Sequence, residues 1–100
     1  MTAPVEVDVP HKLGRAEARR RVERGFGKLA GWIPGGQVGE HRWDGDTLHF
    51  TVEAMGQRVA ARLRVEEALV HAHLDLPAFM AMFAGRIQAQ LSKNAPKLLE

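Results

Sequence analysis

Cysteine is absent from the 100 residues of this chain. Disulfide staples, thiolate metal sites and thiol nucleophiles are thereby excluded, and the fold must hold by packing alone. Long apolar runs are missing too. The uncharged stretch from Leu76 to Gly85 falls far short of the ~20 residues that span a bilayer, so no transmembrane segment is expected. Met1-Thr2-Ala3-Pro4 leads straight into alternating residues, with neither a basic start nor an apolar h-region. No signal peptide is read there, and a cytoplasmic location is the expectation. An excess of one charge sign is lacking: 14 Lys and Arg against 12 Asp and Glu leave +2. That is too small to imply a nucleic-acid partner. No nucleophile can be matched to a base along the chain, so no enzymatic activity and no cofactor are expected.

What is present is the composition of one globular core, 45% hydrophobic and 26% charged. Residues 1–100 are read as a single domain. Val5, Val7 and Val9 alternate with Glu6 and Asp8, the pattern of a half-buried strand, which Pro10 ends. Gly14 then serves as the N-cap of a helix with Glu17 in its first turn, Leu13 stapled onto Ala18, and a core stripe of Ala18, Val22, Phe26 and Leu29. Trp32-Ile33-Pro34-Gly35-Gly36 reads as an apolar loop covering one end of the core. Trp43-Asp44-Gly45-Asp46-Thr47 is a strong hairpin signal, an Asp-Gly corner feeding an alternating strand.

Strands are predicted at Val38–Trp43, Thr47–Ala54, Gln57–Val65 and Ala68–Leu76. With Met55-Gly56 as a two-residue turn, Ala54 faces Gln57, Val52 faces Val59, Phe50 faces Ala61 and Leu48 faces Leu63. With Glu66-Glu67 as the next turn, Val65 faces Ala68, Leu63 faces Val70 and Val59 faces Leu74. Both registers set apolar against apolar on one face. A last helix from Pro77 carries a core stripe of Phe79, Met80, Phe83, Ile87 and Leu91. The predicted order is β-α-β-β-β-β-α, an α+β two-layer domain with a mainly antiparallel sheet and two helices on one face. The sheet position of the first strand is left open.

Three surfaces are candidates for function. On the outer sheet face, that register aligns Glu53, Arg58 and Asp75 in one row and His49, Arg62 and His71 in another, with His73 in the row between. His71-x-His73 near His49 suggests a metal site, but Arg62 separates the imidazoles and no carboxylate stands in the row. A solvated face of charge pairs is preferred, and no metal is expected. On the first helix, Arg20, Arg21, Arg24 and Lys28 form a basic side. Glu17 can pair with Arg20 or Arg21, and Arg19 with Glu23, without interleaved aromatics, so a salt-bridged face is preferred to nucleic-acid binding. On the last helix, Ala78, Ala81, Met82, Gly85 and Ala89 lie away from the core stripe. Ala81, Gly85 and Ala89 recur at four-residue spacing, which permits close approach of another surface. These five residues, with Trp32, are the expected partner-binding set.

Several segments together resemble a family of small bacterial proteins, the putative polyhydroxyalkanoic acid system proteins. They are His11-Lys12-Leu13-Gly14 with Glu17-Ala18, Trp43-Asp44-Gly45-Asp46 with Leu48 and Phe50, Leu74-Asp75-Leu76, and Gly85-Arg86-Ile87 with Ala89 and Leu91. The resemblance runs from about Val5 to Leu99. It implies association with storage-polyester granules or their synthesis, and it brings no established catalytic residues. The expectation is therefore a non-enzymatic accessory protein that contacts a granule surface, a granule protein or a second copy of itself as a homodimer. The contact would be made by the apolar last helix. Two further readings are an acyl-ligand binder with a pocket near Trp32, Phe50 and Phe83, and a hydroxyacyl enzyme using His49, His71 or His73.

Overall fold

In the computed structural model, residues 3–32, 35–54 and 56–99 are described, without the side chains of Ala3, Trp32, Phe79 and Ala95. Five strands form one sheet: β1 (Ala3–Pro10), β2 (Gln37–Asp44), β3 (Thr47–Ala54), β4 (Gln57–Val65) and β5 (Leu69–Leu76). Their spatial order is β1-β5-β4-β3-β2. Every neighbouring pair is antiparallel. The first strand, which the sequence leaves unplaced, lies at the edge beside β5. β1 and β2 thus occupy opposite edges, and the chain between them crosses one face of the sheet. It does so as helix α1 (Arg15–Gly25) followed by a 3₁₀ helix (Phe26–Trp32). After β5 come a 3₁₀ helix (Ala78–Phe83), helix α2 (Ala84–Asn94) and a final 3₁₀ turn (Ala95–Leu99). The architecture is the predicted α+β one.

Alternation explains the layers. Along β3, β4 and β5 the inward residues Leu48, Phe50, Val52, Val59, Leu63, Val70 and Leu74 are buried, while their neighbours face outward. Ala18, Val22 and Leu29 from the first helical stretch and Met80, Ile87 and Leu91 from the last close over them. Fully burying a Leu or Ile side chain contributes ~1.5–3 kcal/mol, so this single layer dominates stability. The expected loop residues Ile33 and Pro34 lie outside the described residues, as does the Trp32 side chain.

The three corners of the meander behave differently. The β2–β3 corner closes with Asp44 opposite Thr47, and Gly45 at φ 61°, a left-handed conformation that glycine adopts without a Cβ clash. The β3–β4 register is the predicted one, from Ala54↔Gln57 to Leu48↔Leu63. Met55, half of the predicted turn there, lies outside the described residues.

The β4–β5 register is not the predicted one. Val65 faces Val70, Leu63 faces Ala72 and Ala61 faces Leu74, a slip of two residues. Glu66-Glu67 offers no glycine for a tight hairpin turn, so the corner opens to four residues, closed by Glu66 N–H donating to the Leu69 carbonyl at 2.8 Å. An even slip keeps every side chain on its predicted face but changes its partner. His11 braces this corner through its backbone N–H to the Ala68 carbonyl (2.8 Å) and its ring Nε2 at 3.0 Å from the Glu66 carbonyl.

The wider corner also serves the helix. Gly14, the N-cap, has no side chain to accept from the exposed first-turn amides. Glu67 reaches across from the corner instead, and its carboxylate accepts the Arg15 backbone N–H at 3.2 Å. Glu17, placed by the sequence in the first turn, turns to Arg20 and Arg21. Replacing Glu67 with Ala should therefore cost about 1 kcal/mol, the usual value of a lost N-cap. Urea unfolding checks this: a midpoint unchanged from wild type would show that Glu67 does not cap α1.

Candidate functional site

The basic face of α1 is largely internal bracing. Arg20 and Arg21 both hold Glu17, at 2.6 and 3.1 Å. Arg21 also donates to the Leu99 carbonyl at 2.7 Å, and Lys28 to the Lys97 carbonyl at 3.4 Å. These cations hold down the C-terminal turn, whose Leu98 and Leu99 are buried. Gly25 lets it come close, since a Cβ there would sit 3.0 Å from the Leu98 carbonyl oxygen. The predicted Arg19–Glu23 pair is replaced by a triad around Trp43. The Arg19 guanidinium lies 4.4 Å from the centre of the indole, and Trp43 Nε1 donates to Glu23. The aromatic face offers Arg19 a better-desolvated partner than an exposed carboxylate would. Through this triad the hairpin signal of the sequence becomes the clamp between β2 and α1.

The last helical stretch is not one helix. It is 3₁₀ over Ala78–Phe83 and α over Ala84–Asn94, so the predicted four-residue repeat of Ala81, Gly85 and Ala89 changes phase between its first two members. Ala78, Ala81, Met82, Gly85 and Ala89 are all exposed. Met82, 81% exposed, is the one exposed large hydrophobic among the described residues. Met80, Ile87 and Leu91 are buried beneath them. A Cβ built on Gly85 meets nothing within 4 Å, so this face is open on its outer side. The Trp32 side chain, the sixth member of the predicted set, lies outside the described residues.

The outer sheet face differs from expectation in a way that matters chemically. The two-residue slip moves Arg62 opposite His73 and Arg64 opposite His71, and Ala60 opposite Asp75. On the other side of β5, the edge position of β1 brings Glu6 opposite His73 and Asp8 opposite His71. The carboxylates that the sequence reading found missing from the histidine row are supplied by the first strand.

The side chains there form a continuous chain. Asp8 Oδ1 lies 2.5 Å from His71 Nδ1, and His71 Nε2 lies 3.4 Å from Glu6 Oε1. The same Glu6 oxygen lies 2.9 Å from His73 Nδ1, and His73 Nε2 lies 2.8 Å from Asp75 Oδ1. The histidine side chains are only 21% and 12% exposed, whereas Glu6 stands half open to solvent. Hydrogen bonds from His73 first and His71 second hold the Glu6 carboxyl below the usual glutamate range. A sequence signal for this cluster existed. Glu6-x-Asp8 and His71-x-His73-x-Asp75 are period-two patterns of opposite polarity, and antiparallel pairing of their strands interleaves them.

Fold and surfaces together define a small α+β protein with one antiparallel sheet, helices on a single face and a polar face left open. Among the described residues no helix is long and apolar enough to cross a membrane. The chain belongs to the family described as putative polyhydroxyalkanoic acid system proteins, which matches residues 5–99. No curated protein and no solved structure matches it. The family name links the chain to polyhydroxyalkanoate systems.

The basic face makes a pH prediction. Hydrogen bonding from Arg21, with the nearby charge of Arg20, holds the Glu17 carboxyl below its ordinary value of 4.5. A depressed acid adds stability that is present above that value and is lost as pH falls through the lower folded one. Glu17→Gln should therefore be less stable than wild type near neutrality, and the two should converge in acid. Urea midpoints measured across that range test this, and a gap independent of pH would contradict it.

Proposed function

We propose that the protein is a non-enzymatic accessory of polyhydroxyalkanoate metabolism, docking on the polyester granule surface through the exposed side of its last helical stretch. The observation that carries this reading is Met82, a large apolar side chain left 81% exposed while the neighbouring Met80 is fully buried. Around it Ala78, Ala81, Gly85 and Ala89 present only methyls and backbone.

Size argues for a surface rather than a tight protein partner. A stable interface buries ~800 Å² on each side around large apolar anchors, and this patch has one such anchor. One methionine contributes ~1.5–3 kcal/mol when buried. That suits reversible adsorption on an apolar polymer, where many copies bind side by side and no exact shape complement is needed.

The double substitution Ala81→Glu and Gly85→Glu tests the proposal. Both positions are exposed, and the space beyond Gly85 is open, so the fold should survive, as far-UV circular dichroism would show. Two buried charges at the contact should lower partition onto purified polyhydroxyalkanoate granules at least tenfold, because an uncompensated charge is costly to desolvate. Wild-type partition by the double variant would overturn the reading. So would a wild-type dimer that the variant dissolves into monomers by light scattering, because the occupant would then be a second copy.

A further inference from the structure

We infer that Glu6, His71 and His73 form a binding site for one divalent transition-metal ion on the open face of the sheet, at its β1 edge. It lies on different residues from the proposed granule contact and is independent of it. Four nitrogen-to-carboxylate contacts link the chain Asp8–His71–Glu6–His73–Asp75. Glu6 stands between the two rings, so one nitrogen of each ring and one carboxylate oxygen lie close together on the open face.

The geometry fits a metal ion there. Bonds of about 2.0–2.2 Å from an ion to imidazole nitrogen and carboxylate oxygen set neighbouring ligand atoms roughly 3–3.6 Å apart, between octahedral and tetrahedral arrangements. Glu6 Oε1 lies 2.9 Å from His73 Nδ1 and 3.4 Å from His71 Nε2. All three atoms lie within 4.8 Å of one another. The two outer carboxylates complete the pattern. A ligating histidine usually gives its other N–H to a carboxylate, which sets its tautomer and ring orientation. Asp8 at His71 Nδ1 and Asp75 at His73 Nε2 occupy those positions.

The donor set selects the ion. Two imidazoles and one carboxylate, without thiolate, suit zinc, copper(II), nickel or iron(II) rather than magnesium or calcium, which prefer oxygen shells. Three carboxylates around the two rings attract a divalent cation. The neighbouring arginines leave this position open: Arg64 is held by Glu66 at 3.1 Å, and Arg62 lies across the β4–β5 pairing, on the far side of His73 from Glu6. Three ligands leave at least one coordination position for water or for a group from a partner.

Zinc titration of the untagged, chelator-treated protein is the test, read by calorimetry and by the shift of thermal unfolding. One zinc per chain should bind and raise the unfolding temperature, whereas magnesium and calcium should do neither. Glu6→Gln, His71→Gln and His73→Gln should each weaken binding at least tenfold, and Asp8→Asn or Asp75→Asn about 10–100-fold. Cobalt(II) bound in place of zinc should show a visible spectrum that the two Asp variants alter while the fold is retained. His49→Gln, and the granule-contact double variant, should bind as wild type. Glu6 is exposed, so its variant carries the comparison if a histidine variant fails to fold. The inference is overturned if zinc in large excess does not bind, or if His71→Gln and His73→Gln together leave binding unchanged.

Discussion

The antiparallel pairing of β1 with the edge of β5 is the interaction on which the rest of this structure depends. Eight register pairs, from Ala3↔Leu76 to Pro10↔Leu69, tie the first strand to partners 59 to 73 positions later in the chain. Because β1 takes one edge and β2 the other, the connection must cross the sheet. The crossing is what lays α1 over the apolar face. The same pairing turns Val5 and Val9 inward beneath the helices and turns Glu6 and Asp8 outward beside the histidines. One set of backbone hydrogen bonds thus completes the core and assembles the polar cluster.

Both ends of α1 are held by distant segments. Glu67, from the four-residue corner between β4 and β5, satisfies the Arg15 amide, and Arg15 itself pairs with Asp46 of the hairpin at 3.6 Å. Towards the other end, Arg21 and Lys28 hold the carbonyls of the final turn. Arginines and lysines that look like a binding face in one dimension serve as bridges between elements in three.

Two faces remain for interaction, and they differ in chemistry. The solvent side of the 3₁₀ helix is apolar, with Met82 set among Ala78, Ala81 and the following Gly85, whereas the exposed residues farther along α2, Arg86, Gln88, Gln90, Ser92 and Lys93, are polar and border that patch. The outer face of the sheet is polar and directional. Its histidines are held between the β1 carboxylates Glu6 and Asp8 and Asp75 of their own strand, with ring orientations set by hydrogen bonds.

The sequence by itself determined the element order, the in-or-out assignment of the strand residues, the β3–β4 register and the exposure of Ala78, Ala81, Met82, Gly85 and Ala89. These follow from periodicity and turn chemistry, which are local. It also brought out the resemblance that the family match bears out. Only the tertiary structure decided the β4–β5 register, because the turn there is chosen by its contacts with His11 and Arg15 rather than by Glu66-Glu67 alone. The break between the 3₁₀ helix and α2 likewise depends on how the chain leaves β5 to cover the core. Above all, the place of β1 was undecidable from the chain alone. Alternation alone names no neighbour, and the complementary Glu6-x-Asp8 and His71-x-His73 patterns meet only once pairing across that separation is set by the whole sheet. The carboxylates of Glu6 and Asp8 therefore reached the histidines only through folding.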